Sequence, residues 1–147
     1  MPPFLLPCYA APMIPPTWQE CRRPNDDTDD DELVGYLMSA GEQVIPVTLI
    51  GTPLGEAQAN ATAVALLHER GLMTLNGRWW CLLPEVVLGT DTDPLQPQPS
   101  WEWRSVFIVE ASPQECRVRL EMPAEEERTS TVTLPVPVGE LLRARQP

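Results

Sequence analysis

The chain has 147 residues, 43% of them hydrophobic, enough for the core of one ordinary domain and too many for wholesale disorder. Its net charge of −11 sets it against nucleic-acid phosphates and anionic membrane surfaces and favours a basic partner. Proline occurs 18 times and lysine never, so all ten cationic side chains are arginine.

The charge is concentrated. Six of the 21 acids fall between Asp26 and Glu32, and the other 15 face ten arginines, leaving about −5 for the remainder. That is an ordinary surface charge for a small domain. No run approaches the ~18 apolar residues of a membrane span. The first eight residues have no cationic region and are interrupted by proline, so they do not read as a signal peptide, and a cytoplasmic location is expected. The cysteines at 8, 21, 81 and 116 form no CxxC pair and are expected to stay reduced, with a Cys8–Cys21 bridge the one pairing to consider.

Residues 1–31 form a proline-rich arm and acidic linker, expected to be flexible or wrapped on the core. Six prolines lie between Met1 and Glu20, interleaved with Phe4, Leu5, Leu6, Tyr9 and Trp18. Proline fixes φ and removes a donor, which disfavours helix and central strand and leaves extended, polyproline-like structure. Asp27, Asp29 and Asp31 alternate as in a calcium loop, but the glycine and the closing glutamate of that loop are replaced by Glu32 and Met38. A solvated acidic run is the expectation.

Residues 32–147 are expected to form a single β-rich domain. Leu33–Met38 and Val44–Ile50 read as strands joined by a turn at 39–42, and Pro46 places the second at an edge or bulge. A helix is expected from Pro53 to Arg70, with Thr52 as cap, Pro53 at the first helical position and Gly71 as a left-handed stop. Leu54, Ala57, Ala61, Val64, Ala65 and His68 fall on one face of its projection and Ala59, Ala63 and Leu66 on another. The small polar sector predicts close packing on more than one side. Leu72–Leu75 and Arg78–Leu83 flank Asn76-Gly77, the pair that a two-residue hairpin turn demands.

Gly89–Ser100 reads as a loop. The last third alternates: Trp101, Trp103, Phe107 and Val109 oppose Glu102, Arg104, Val106 and Ile108; Cys116, Val118 and Leu120 oppose Arg117 and Arg119; Val132, Leu134 and Val136 follow a charged turn at Glu125–Arg128. This predicts a three-stranded antiparallel meander with one wet face. The expected class is therefore α+β: predominantly antiparallel β, a small barrel or sandwich of about six to seven strands, with one packed helix and an extended N-terminal arm.

Catalytic and metal chemistry finds little footing, and no cofactor or metal is expected. His68 is the lone histidine and sits on an apolar helix face, where packing is the expected role. The glycines at 51–55 lack the lysine and Ser/Thr of a phosphate loop. The adjacent Trp79 and Trp80 point to opposite faces of a strand, so one is free for a surface, while Trp101 and Trp103 share a face. The expected function is a non-enzymatic protein-binding module (an adaptor, assembly factor or regulatory subunit) that self-associates or binds another protein. Its candidate contacts are Phe4, Leu5, Leu6, Tyr9, Trp18, His68, Trp79, Trp80, Trp101 and Trp103, with the acidic segment beside them. Two alternatives stand. The order of helix, strand, Asn-Gly-Arg and strand near residues 53–83 weakly resembles the recognition helix and wing of winged-helix domains, which implies DNA binding. A small enzyme joining His68 to Cys81 or Cys116 is the other.

Overall fold

A computed structural model describes residues 14–24 and 31–147. It is mostly antiparallel β, with eight strands in two sheets and one α-helix among the described residues, in keeping with an α+β class. The chain forms two compact units that divide between Leu75 and Asn76, and the compositional boundary expected at residue 31 falls within the first, at the start of a strand. No described helix is long and apolar enough to cross a membrane.

In the first unit, β1 (Gln19–Pro24), β2 (Asp31–Ala40) and β3 (Gln43–Val47) form a sheet in that order, all antiparallel. Part of the expected arm is thus an edge strand. Pro24 is tolerated there because it ends β1, where a missing donor costs no internal ladder bond. Pro46 likewise sits on the outer strand β3.

The helix α1 spans Asn60–Arg70, so the expected start at Pro53 is seven residues early. The backbone that was to open the helix is used as a strand partner instead. Val44 and Gln58 exchange both N–H···O=C bonds at 2.9 and 2.8 Å, and the Leu54 N–H donates to the Pro46 carbonyl. Thr52 caps nothing; its hydroxyl meets that of Thr48 at 2.6 Å inside a buried turn. Ala59 occupies the cap position without a side-chain bond.

The buried stripe of α1 is also narrower than its composition predicts. Ala63 and Leu67, four residues apart, are fully buried in a cluster with Cys21, Val34 and Leu37, whereas Ala61 and Ala65 are exposed. The helix packs on one side. Close approach explains its small neighbours. A Cβ on Gly35 would lie 2.3 Å from the Val47 carbonyl oxygen and 2.8 Å from the Leu67 side chain. Gly71 is right-handed (φ −54°), so it is no left-handed stop; a Cβ there would meet the Val34 carbonyl oxygen at 2.5 Å.

In the second unit, β4 (Arg78–Leu83), β5 (Glu102–Ala111), β6 (Glu115–Leu120), β7 (Val132–Pro135) and β8 (Leu142–Arg143) form a five-stranded antiparallel sheet of order β7-β6-β5-β4-β8. The expected meander is β5-β6-β7. The expected hairpin across Asn76-Gly77 is not formed: Met73–Leu75 is a 3-10 turn, and β4 pairs with β5 and β8. The wing of the winged-helix likeness is therefore missing. Long-range pairing with two strands outweighs a favourable local turn.

Candidate interaction surface

Residues directly opposite in an antiparallel ladder share a face. The β4–β5 register sets Trp79 against Val106, Trp80 against Ser105 and Leu82 against Trp103. Phe107 faces Arg119 on β6, and Trp80 faces Arg143 on β8. One face therefore carries Trp79, Cys81, Leu83, Val106, Val118, Leu120 and Leu142, all buried. The other carries Trp80, Leu82, Trp103 and Phe107, all half-buried, interleaved with arginines.

The arginines lie on the rings. The Arg143 guanidinium sits 4.7 Å from the Trp103 ring centre and that of Arg119 sits 5.1 Å from Phe107. Each attraction is electrostatic, between a cation and the negative face of the ring. Carboxylates balance the charge: Arg78 pairs with Glu121, Arg117 with Glu110, and Arg143 with Glu140 at 2.8 Å. The Arg78 hydrogen bond holds the Glu121 carboxyl below its usual range. The face is aromatic and cation-lined, yet close to neutral.

Trp103 lies between two depressions. One, of about 280 Å³, is lined chiefly by Leu82, Pro94, Leu95, Pro97, Leu141 and Arg143 around the indole. The second, about 210 Å³, runs past Trp80, Ser105, Leu120 and Met122. Leu95 and Met122, at their rims, are among the exposed large apolar side chains.

A buried ion pair anchors the loops beneath this sheet. Arg104 grips Glu127 with two hydrogen bonds of 2.7 and 3.0 Å. Glu127, 2% exposed, also accepts the backbone N–H of Val87 at 2.6 Å and of Ala124 at 3.0 Å. The guanidinium holds its carboxyl down to about 2, with the two backbone donors adding to the effect. The charged turn at Glu125–Arg128 thus hides one structural carboxylate. Only the opposing arginine on β5, 23 residues earlier in sequence, could have marked it.

The candidate contacts named from sequence are scattered. Phe4, Leu5, Leu6 and Tyr9 lie outside the described residues, as do Cys8 and most of the acidic run. Trp18 is half-buried, its ring 6.1 Å from that of Tyr36. His68 donates from Nε2 to the Arg22 carbonyl at 3.0 Å, while Arg23 donates to the His68 carbonyl, so it ties α1 to β1. Trp79 is enclosed at 3% exposure. Trp101 is half-buried just ahead of β5. Only Trp80 and Trp103 are gathered on one surface. Phe107, Arg119, Arg143 and the loop carrying Pro94 and Pro97, absent from the expected set, complete it.

Cys21, Cys81 and Cys116 are buried free thiols. Burial raises Cys81 and Cys116 to about 12, with Cys116 adding to the effect on Cys81, so neither forms a thiolate near neutrality. Among the described residues, no cluster of three histidine, cysteine or acidic side chains is placed to hold a metal ion. The chain matches no family model, no curated protein and no solved structure.

Proposed function

We propose that the chain is a non-enzymatic protein-binding module, serving as an adaptor, assembly factor or regulatory subunit, whose contact surface is the aromatic face of the five-stranded sheet. The observation that carries this is Trp103, held half-buried between two depressions with Arg143 stacked on it. Tryptophan and arginine are the side chains that most often dominate protein interfaces, and a rigid strand presents them at low entropic cost. The protonated, enclosed thiols and the engaged His68 ring support a binding role over nucleophilic chemistry. The buried free thiols also suit a reducing, cytoplasmic setting.

The test is parallel affinity capture with the wild-type chain and Trp103→Ala. A partner retained by the first and lost from the second, with both chains folded by circular dichroism, is the expected result. Equal capture by both would remove the aromatic face from the reading.

A further inference from the structure

The larger depression beside Trp103 has a recognisable chemistry. Its volume of about 280 Å³ falls just below the roughly 300–1,000 Å³ typical of small-molecule sites, so it suits a few side chains of a peptide. Its walls are Trp103, Leu82, Leu141 and the prolines at 94 and 97, which offer no backbone donors. Its one cation, Arg143, is already held by Glu140 and by the indole ring. A charged occupant would gain no free counter-charge there and would lose its own hydration. A neutral, apolar, proline-rich segment loses neither.

The chain contains such a segment. From Met1 to Trp18 there is no charged side chain, and Met1-Pro2-Pro3-Phe4-Leu5-Leu6-Pro7 supplies prolines next to three large apolar residues. Aromatic grooves take proline-rich strands because these lose little entropy on binding and their prolines carry no N–H that would need an acceptor. We infer that the groove at Trp103 receives the proline-rich segment Met1–Met13 of a second copy of this chain. This names the partner for the surface proposed above and rests on that reading. A single groove is too small for a stable interface, which needs roughly 1,200–2,000 Å² of buried surface. Reciprocal exchange about a twofold axis fills both grooves and doubles the contact.

Sedimentation of the full-length chain tests this. The wild type dimerises at micromolar concentration, and excess synthetic peptide of residues 1–16 returns it to monomer. Trp103→Ala and the double change Leu5→Asp/Leu6→Asp each raise the dimer dissociation constant about thirtyfold or more, as loss of an interface anchor does. An equimolar mixture of the two variants regains part of the association, because an intact groove meets an intact segment once per pair. Misfolding of either variant cannot produce that recovery. A wild type that stays monomeric at high micromolar concentration, or a dimer indifferent to the peptide, overturns the inference. If Trp103-dependent capture of another protein persists alongside such a result, the surface stands and only the second-copy occupant falls.

Discussion

Arg104 and Glu127 form the most enclosed ion pair among the described residues, with side chains 17% and 1% exposed and two hydrogen bonds between them. Glu127 also satisfies the backbone N–H groups of Val87 and Ala124, so one carboxylate fixes the loop after β4 and the turn before β7. Replacing Arg104 by alanine leaves that charge buried and alone, and is expected to cost about 3–5 kcal/mol in chemical denaturation. Replacing the pair by Met and Leu together should remain destabilising, because two backbone donors are then orphaned. A double variant as stable as the wild type would show that the carboxylate serves only to match the arginine.

The same pair sets a pH dependence. The native Glu127 carboxyl lies at about 2 against an ordinary 4.5, so the native state binds this proton less tightly than the unfolded chain. Its contribution is complete above about pH 4.5 and drains away as pH falls through 2. At neutral pH it is worth about 3 kcal/mol. Denaturation of wild type and Glu127→Gln at a series of pH values should show the gap in stability shrinking across that window. A gap that stays constant from pH 5 to 2.5 would contradict the assignment.

Trp79 and Trp103 separate core from surface. Trp79→Ala empties a buried site and is expected to cost about 3–5 kcal/mol. Arg143→Ala removes a cation from the Trp103 ring and should cost no more than about 1 kcal/mol. Thermal melts of the two variants measure the contrast. Comparable losses would mean that Arg143 carries structure instead of dressing a contact surface.

Gly71 provides a test of local conformation against packing. A left-handed helix stop accepts asparagine at little cost, whereas a right-handed glycine pressed against a carbonyl accepts no side chain. Gly71→Asn and Gly71→Ala are both expected to lower stability by more than 1 kcal/mol, since any Cβ meets the Val34 oxygen at 2.5 Å. Toleration of asparagine in a denaturant titration would restore the left-handed stop.

The buried thiols should be silent. With Cys8 replaced by serine, the native protein is expected to release almost no chromophore from an aromatic disulfide reagent at pH 8. Three equivalents should appear after denaturation, from Cys21, Cys81 and Cys116. Rapid reaction of one native thiol would mark that cysteine as accessible and reopen covalent chemistry.

Residue order determined the last third of the chain most fully. Alternation in β6 and β7 follows from the two-residue period of a strand, so burial of Val118, Leu120, Val132 and Leu134 was written in their spacing. In β5 the same alternation is present but its faces are inverted: the side with Arg104 and Val106 packs inward, and the aromatic side with Trp103 and Phe107 is only half-buried. Residue order also placed Trp79 and Trp80 on opposite faces, because adjacent strand residues must diverge. Tertiary structure decided what depends on distant partners. The residues at 53–58 carry every local sign of a helix start, yet β3 claims their backbone. Asn76-Gly77 carries a hairpin signal, yet β4 finds its partners in β5 and β8. Glu127 looks solvated until Arg104 arrives from β5, and Trp103 becomes part of a groove only when Arg143 and the loop carrying Pro94 and Pro97 close beside it. Local pattern sets which side of an element is apolar. What lies against it is settled by contacts whose energy exceeds the ~1 kcal/mol scale of propensities, and no spacing within one segment encodes those contacts.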